Sequence, residues 1–252
     1  MKRPRILLTN DDGIGSEGLA AAYVALCRIG EVVVVAPHTE RSAMGHAITV
    51  LDPLRINEFQ NQALSGYAVS GTPADCVKLA FGTILDQPPD LVVSGINLGP
   101  NTASHVLYSG TVSAATEARI LGVPAMAVSL GTHRGPSWDA AAEATAKIAQ
   151  AVLRHGLPDR VLLNVNVPSL PRHEIAGLKI TRQGRSRFAE DIVRGHDPRG
   201  TPYYWLAGEY QMTDDDPQTD AWALQHGYIS VTPLSFDLTA DGAIPEISKW
   251  VL

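Results

Sequence analysis

Cysteine is scarce in this chain of 252 residues, which contains only Cys27 and Cys76. Both lie in segments with helical spacing, and neither has histidines or further cysteines at metal-binding spacing around it. This scarcity disfavours a zinc site, which needs clustered Cys and His ligands. It also predicts that both thiols are reduced core residues of a cytosolic protein, because disulfides persist in oxidising compartments.

Long apolar runs, an excess of positive charge and internal repeats are also missing. No apolar run approaches the roughly 18 residues of a membrane-spanning helix, and residues 1–4 lead straight into the first predicted strand, which leaves no room for a signal peptide. The net charge of −6 disfavours a general nucleic-acid-binding surface, which is normally basic. With 45% hydrophobic and 18% charged residues, the composition is typical of a globular enzyme, which we expect in the cytoplasm.

An acidic turn follows the first predicted strand. The apolar run 5–9 ends in Asn10-Asp11-Asp12-Gly13, directly before a helical segment. Ligands of an open α/β sheet bind just outside the carboxyl ends of its strands, so this turn lies where a site would be built. Two adjacent ionised carboxylates repel one another unless a cation lies between them, and oxygen ligands suit Mg, Mn or Ca. The alternative is that one aspartate caps the helix and the other faces water.

The same turn matches the spacing of a dinucleotide-binding fingerprint. Residues 13–18, Gly-Ile-Gly-Ser-Glu-Gly, lie between a strand and a helix, as that motif requires. However, the acidic residue expected about 20 positions later is absent, since the second strand ends in Pro37-His38. The two aspartates would also repel a pyrophosphate. We therefore interpret the glycines as turn and close-packing positions and expect no hydride transfer.

Predicted strands and helices alternate through most of the chain. Strands are predicted near 5–9, 31–36, 90–94, 125–130 and 160–166, and helices near 17–28, 71–85, 112–121 and 140–153. Residues 47–51 read as extended, 52–64 as an edge hairpin and 219–226 as a short helix. The alternation predicts an α/β fold with a doubly wound, mostly parallel, Rossmann-like sheet. The pattern changes past Pro168, so we predict a catalytic core over residues 1–175 and a C-terminal oligomerisation extension over residues 176–252 that also contributes to the sheet. The alternative is more of the same domain.

Polar residues from separate loops are predicted to converge at one edge of this sheet. Four loops that follow strands or extended segments carry Asp11-Asp12, Arg41-Ser42, Gly71-Thr72 and Asn97. The two carboxylates, the Ser42 hydroxyl and the Asn97 carboxamide would form an all-oxygen shell with positions left for water and substrate, which suits a hard cation. His46, beside one of these loops, is expected to form hydrogen bonds rather than to bind metal.

A candidate phosphate site lies in the same rim. Tyr108-Ser109-Gly110-Thr111 directly precedes a predicted helix, and backbone N–H groups at a helix start, helped by two hydroxyls, suit a phosphate. Ser and Thr also cap many helices, so this prediction depends on its closeness to the proposed metal. The predicted phosphate-binding set is Asn101, Ser109, Gly110 and Thr111.

Six motifs follow one another along nearly the whole chain. They are Thr9-Asn-Asp-Asp-Gly13, Arg41-Ser42 with His46-Ala-Ile-Thr49, Gly71-Thr-Pro-Ala-Asp-Cys-Val77, Ser94-Gly-Ile-Asn97 with Asn101, Tyr108-Ser-Gly-Thr-Val112, and Thr232-Pro-Leu234. In this order they resemble the motifs of the SurE family of metal-dependent 5′-nucleotidases. The chain departs from the family at Ala103 and Ala118, where glycine is common, and at Ser16-Glu17, where Ala-Pro is common.

The resemblance implies hydrolysis of nucleoside 5′-monophosphates to nucleoside and phosphate, with 3′-monophosphates and short polyphosphate as further substrates. It implies one divalent metal per subunit, Mg, Mn or Ca, held by Asp11, Asp12, Ser42 and Asn97. It also implies a cytoplasmic homodimer or homotetramer built partly by exchanged C-terminal segments, with no nucleic-acid or membrane partner.

Asn10 and Asp11 are the catalytic candidates, with Asp11 orienting or deprotonating the attacking water. One rival mechanism is attack on phosphorus by Asp11 itself, through an aspartyl phosphate. A rival from another class is a phospho-receiver or nucleotide-sensing module, which also carries an acidic pair after its first strand. Against that module, the chain is long and has Asn97 and Ser109-Gly-Thr in place of a third aspartate at a strand end.

Overall fold

A nine-stranded sheet forms the body of the protein, for which a computed structural model describes residues 3–132, 134–211 and 215–250. The strands are β1 (Arg5–Thr9), β2 (Glu31–Pro37), β3 (Ile56–Gln60), β4 (Ser65–Val69), β5 (Leu91–Leu98), β6 (Ala125–Leu130), β7 (Val161–Val167), β8 (Gly177–Ile180), β9 (Arg187–His196), β10 (Pro202–Gln211) and β11 (Tyr228–Ser235). The large sheet has the order β3-β4-β2-β1-β5-β6-β7-β11-β8, and β9 and β10 form a separate antiparallel ribbon.

Six α-helices accompany the strands in the described part of the chain. They are α1 (Glu17–Leu26), α2 (Pro73–Leu79), α3 (Gly110–Ile120), α4 (Asp139–His155), α5 (Asp220–Gln225) and α6 (Ile244–Ile247). A π-helical turn, Ala80–Ile84, continues α2, and 3₁₀ turns occupy Ala103–Leu107, Arg172–Glu174 and Asp241–Ala243. Neighbours in the large sheet are parallel, except that β3 is antiparallel to β4 and β11 is antiparallel to β7. The predicted doubly wound, mostly parallel α/β fold is confirmed.

The central strand β1 is buried on both faces, as its unbroken apolar run predicts. Ile6 and Leu8 pack with the buried faces of α1 and α4, whereas Leu7 packs with those of α2 and α3. The sheet therefore lies between two pairs of helices. The loops at the carboxyl ends of its strands lie at the edge where ligands bind in such sheets.

The segment 47–51 differs from its prediction, because it forms no strand. The Thr49 N–H donates to Asp75 Oδ1 at 3.0 Å, and the Ala47 carbonyl oxygen accepts from Thr72 Oγ1 at 2.8 Å. Side chains at the start of α2 thus satisfy backbone groups that a neighbouring strand would otherwise bind. Of the edge hairpin predicted over residues 52–64, β3 lies inside that range, whereas its antiparallel partner β4 begins just after it. The predicted short helix is confirmed as α5.

The C-terminal region has two structural parts. β8 and β11 belong to the large sheet, whereas β9 and β10 form their ribbon outside it. The division at residues 175 and 176 and the role of the extension in an oligomer stay predictions.

Gly18 lies where α1 packs closely against β5. A Cβ at Gly18 would overlap the Ile96 carbonyl oxygen and would lie 2.9 Å from Cζ3 of Trp138, whereas a Cβ at Gly15 meets nothing within 4 Å. We expect Gly18→Ala to lower the free energy of unfolding by about 3 kcal/mol through overpacking. The matched control Gly15→Ala should change it by less than about 0.5 kcal/mol. Urea denaturation measures both, and equal effects would contradict the close-packing interpretation of these glycines.

Candidate metal and phosphate site

The candidate site lies at the carboxyl ends of β1, β2 and β5, which are parallel neighbours in the sheet. Asp11 and Asp12 follow β1, Ser42 lies in the loop after β2, and Asn97 lies near the end of β5. The fold thus brings loops from distant parts of the sequence to one edge.

Ser16, rather than either aspartate, caps α1. Its hydroxyl accepts a hydrogen bond from the Leu19 N–H at 3.4 Å. Nδ2 of Asn10 donates to Ser16 Oγ at 2.8 Å and to the Gly13 carbonyl oxygen at 3.0 Å, so this amide organises the turn. The alternative in which an aspartate caps the helix is therefore wrong.

Asp11 is a buried carboxylate, only 4% exposed, where three elements meet. Its Oδ1 accepts a hydrogen bond from the Thr111 hydroxyl at the start of α3. A Cβ at Gly110 would lie 2.8 Å from Asp11 Cβ and 2.9 Å from Asp11 Oδ2. In the loop after β2, the Arg41 N–H donates to the Asp11 carbonyl oxygen at 2.7 Å. The predicted phosphate loop therefore lies against the first predicted metal ligand.

Asp12 contacts the end of β5. Its Oδ2 accepts from the Leu98 N–H at 2.9 Å, which brings the carboxylate next to Asn97. Nδ2 of Asn97 donates to the backbone carbonyl oxygen of Gly99 at 2.7 Å. This bond leaves the side-chain oxygen of Asn97, Oδ1, for another partner. Asn97 itself is buried.

A backbone irregularity precedes Asn97 in β5. The register against β6 shifts between Ser94 and Asn97, across a cis peptide bond between Gly95 and Ile96. Gly95 has a φ of 133°, and a Cβ there would overlap the Val128 carbonyl oxygen. Glycine is the residue that this backbone conformation and this close approach require.

Ser42 is exposed, and its hydroxyl donates to Glu40 Oε1 at 2.7 Å. Because the proton points to Glu40, the lone pairs of the Ser42 oxygen remain available to a cation. Burial is the main cause that raises the pKa values of Asp11 and Asp12, and the Glu40 charge adds to it. The sequence analysis did not select Glu40, although it lies two residues before Ser42.

The two aspartates are costly to ionise in this geometry. Burial raises the pKa of Asp11, and the Glu40 charge raises it further, whereas the Thr111 hydrogen bond lowers it. Burial is also the main cause that raises the pKa of Asp12 to about 6. The Leu98 hydrogen bond lowers this pKa, whereas the charges of Asp11 and Glu40 raise it. A bound cation would offset both the lost hydration and the repulsion.

The donor set fits a hard divalent cation. In the described residues, no three His, Cys, Asp or Glu side chains group in a way that could hold a metal. The candidate set instead combines two carboxylates with neutral oxygens, which suits Mg, Mn or Ca better than zinc. In addition, the Asn10 Oδ1 atom is buried at this turn and has no hydrogen-bond partner among the described residues.

Ser109 belongs to the start of α3, whereas Asn101 is held by residues of β6 and β7. Ser109 is the N-cap of α3, and its Oγ accepts from the Val112 N–H at 3.0 Å. Nδ2 of Asn101 donates to Ser129 Oγ at 2.8 Å, and Asn166 Oδ1 accepts from the Asn101 N–H at the same distance. The sequence analysis missed both of these partners. The only signal for Asn166 is its place in the polar–apolar alternation Asn-Val-Asn of a buried strand.

Ala103, one of the departures from the family motifs, is fully buried and has a φ of 50°. Its N–H donates to Asp220 Oδ2 at 3.0 Å, and its carbonyl oxygen accepts from Gln183 Nε2 at 2.8 Å. This left-handed conformation explains why glycine suits the position. Residues of the C-terminal region thus fix the loop that follows Asn101.

The fold is a doubly wound α/β fold, and its carboxyl edge carries a candidate site of carboxylate and neutral oxygen atoms. A profile of the family described as Survival protein SurE matches residues 6–190. The chain belongs to this family, as its ordered motifs predict.

Relatives match nearly the full chain. It is 50% identical over 249 residues to a 5′-nucleotidase SurE of Syntrophobacter fumaroxidans, a match that covers 98% of this chain and 100% of the relative. A 5′-nucleotidase SurE of Moorella thermoacetica is 52% identical over 236 residues, covering 93% and 91% of the two chains. The crystal structure of the SurE protein from Aquifex aeolicus superposes with a TM-score of 0.86 at 43% identity, covering 97% of this chain and 98% of the other.

Proposed function

We propose that this protein is a divalent-metal-dependent 5′-nucleotidase, a phosphoric monoester hydrolase that converts nucleoside 5′-monophosphates to nucleoside and phosphate. The observation that carries this proposal is the buried carboxylate of Asp11, which lies against Gly110 and Thr111 at the start of α3. A cation site and a phosphate site thereby share one boundary. The 5′-nucleotidases among the relatives support the same activity.

The proposed metal ligands are Asp11, Asp12, Ser42 and Asn97, with one Mg, Mn or Ca ion per subunit. When bound there, such an ion would neutralise the phosphate and activate water for attack on phosphorus. Asp11 orients this water and the Thr111 hydroxyl holds the carboxylate in place. Asn10 fixes the turn that carries both aspartates.

The phosphate is proposed to bind at Ser109, Gly110 and Thr111, with Asn101 beside them. Because the Val112 N–H already donates to Ser109 Oγ, the start of α3 offers the phosphate the N–H groups before Val112 and the positive end of the helix dipole. This end of the helix favours the negative charge that shifts among the phosphate oxygens as the ester bond breaks. Because Gly110 has no side chain, the start of α3 can lie close to the Asp11 carboxylate.

The experiment that tests the activity is a phosphate-release screen with metal-depleted and metal-replenished protein. Nucleoside 5′-monophosphates should be hydrolysed fastest, and 3′-monophosphates and short polyphosphate are the secondary substrates to compare. Sugar phosphates serve as controls. Release of phosphate from none of these compounds would favour the binding-module alternative. Trapping of a phosphoenzyme would instead favour direct attack by Asp11.

The proposed assembly is a cytoplasmic homodimer or homotetramer. On the β9–β10 ribbon, Tyr204 and Trp205 are 60% and 67% exposed, and Tyr203 is also exposed. Trp250, which follows α6, is exposed as well. Apolar area of this kind is typical of an interface. Trp222, which is half-buried, stacks on His226 of its own chain with ring centroids 3.7 Å apart.

Light scattering or sedimentation at micromolar concentration tests the assembly. We expect a mass of at least two chains, and a mass of one 26.9 kDa chain would contradict the proposal.

None of the helices in the described ranges has the length and hydrophobicity that a membrane span requires.

A further inference from the structure

The loop of residues 38–51, here called the Ser42 loop, carries one proposed metal ligand but contains no helix or strand. An exposed hydroxyl on an irregular loop is a poor ligand unless the loop is held, because ordering it costs conformational entropy. The Arg41 N–H donates to the Asp11 carbonyl oxygen at 2.7 Å, and the Gly45 N–H donates to the Tyr108 carbonyl oxygen at 3.0 Å. These two bonds bracket Ser42, and a further contact lies just beyond them.

That contact is made by Glu117, a carboxylate on α3 that is only 3% exposed. Its Oε2 lies 2.8 Å from Nε2 of His46 in the Ser42 loop, and its Oε1 lies 2.6 Å from the Nζ of Lys78 on α2. The expectation that His46 is a hydrogen-bonding residue is thus confirmed. No part of the proposed chemistry uses Glu117.

Two side chains favour the ionised form of Glu117. Burial raises the pKa of this carboxyl, but the hydrogen bonds from His46 and Lys78 outweigh burial and hold the pKa below its usual range. A buried carboxylate is stable only when it is paired and hydrogen-bonded. The hydrogen bond between His46 and Glu117 therefore attaches the Ser42 loop to α3.

A second buried carboxylate holds the far end of the same loop. Asp75 at the start of α2 accepts from the Thr49 N–H at 3.0 Å and from the Thr49 hydroxyl at 2.6 Å. Asp75 also accepts from the Thr72 N–H, with which it completes the capping box of α2. Its replacement would disturb that helix as well as the loop, so Glu117 and His46 are the cleaner positions to test.

The helix that carries Glu117 also carries the proposed phosphate loop. Gly110 and Thr111 begin α3 against Asp11, and Glu117 lies two turns further along the same helix. One rigid element thus contacts the Asp11 carboxylate at its start and the Ser42 loop through His46. The separation of these two contacts is set by helix geometry.

We propose that Glu117 is a positioning residue, which acts through His46 to hold the Ser42 loop so that the Ser42 oxygen keeps a fixed place relative to Asp11 and the start of α3. This inference rests on the proposed function, since it takes Ser42 as a metal ligand. Groups that orient metal ligands typically contribute about 10- to 100-fold to metal affinity. Glu117 acts one step further away, through the loop, so we expect the lower end of that range.

The test is calorimetric titration of Mn²⁺ into full-length, metal-depleted protein. His46→Ala and Glu117→Gln are each expected to raise the dissociation constant for Mn²⁺ about tenfold. The double variant should be no weaker than the weaker single variant, because both substitutions break one link. Lys78→Met is the matched control, since it removes the other partner of the same carboxylate without touching the loop, and it should leave the dissociation constant within about twofold of wild type.

His46→Gln should restore most of the affinity, because its amide can donate to Glu117 from a similar distance. His46 lies on a partly exposed loop, so its variants test the inference even where Glu117→Gln fails to fold. Unchanged Mn²⁺ affinity in His46→Ala, with Ser42→Ala clearly weakened, would overturn the positioning role alone. If Ser42→Ala binds Mn²⁺ as wild type does, Ser42 is no ligand and the inference falls with it. Wild-type protein that binds no Mn²⁺ would instead overturn the proposed function.

Discussion

Replacement of Asp12 by Asn is expected to abolish phosphate release from nucleoside 5′-monophosphates at ordinary Mg²⁺ or Mn²⁺ concentrations. The substitution keeps the shape of the side chain, and the amide oxygen still accepts from the Leu98 N–H that bonds to Asp12. It removes one of the two formal charges in the proposed shell. Metal affinity should therefore fall while the fold persists.

The same variant should not be less stable than wild type without metal. The pKa of Asp12 is raised to about 6, so the native state holds this proton more tightly than the unfolded chain does. Wild-type stability in chelator should then fall by about 3 kcal/mol as the pH rises from about 4 to above 6. The Asn side chain does not ionise, so Asp12→Asn does not lose this stability as the pH rises. Its melting temperature in chelator at pH 7 should therefore equal or exceed that of wild type.

Melting curves with and without Mn²⁺, beside a phosphate-release assay, measure this prediction. Asp159→Asn is the matched control, because its carboxylate is 94% exposed and belongs to the loop that leads into β7, at the other edge of the sheet. It should leave both activity and Mn²⁺ stabilisation unchanged. An Asp12→Asn protein that melts lower in chelator and still hydrolyses nucleotides would show that the metal site lies elsewhere.

Gly110→Ala is expected to lower kcat/KM at least about a hundredfold, the effect of a misplacement of roughly 1 Å in an active site. The new methyl group would meet Cβ and Oδ2 of Asp11 at 2.8 and 2.9 Å, so either the carboxylate or the start of α3 must move. Stability should fall by only about 1–3 kcal/mol, as for other overpacked sites. Alanine suits the first turn of a helix, so the backbone conformation adds no further cost.

Steady-state kinetics and thermal melting of this variant separate a damaged site from a damaged fold. The control is Gly15→Ala, which adds a methyl group in open space in the loop that follows Asp11 and Asp12. This variant should keep wild-type kinetics. Near-normal kcat/KM in Gly110→Ala would contradict the close approach of the phosphate loop to Asp11.

The fold and the position of the acidic turn could be predicted from the sequence because they depend on local patterns. An apolar run that stops at Asn10-Asp11-Asp12-Gly13 marks a strand end, and the rule for parallel sheets then places that end at the ligand-binding edge.

Contacts made across the fold were not predictable from these patterns. Glu117 reads as one polar residue of a helix, yet it is buried against His46, 71 residues earlier in the chain. Glu40 reads as a solvated loop charge, and its effect on the two aspartates appears only once the loop is folded over them. Each of these depends on tertiary packing, for which a single sequence carries no local signal.

The central claim, that hydrolysis depends on a divalent metal held at the acidic turn, is tested most directly by phosphate release from AMP before and after metal depletion. The protein is dialysed against a chelator, assayed, and assayed again while Mn²⁺ is added in steps. We expect no release from the depleted protein and a recovery that saturates at one bound Mn²⁺ per subunit. Full activity of the depleted protein in the continued presence of chelator would contradict the claim.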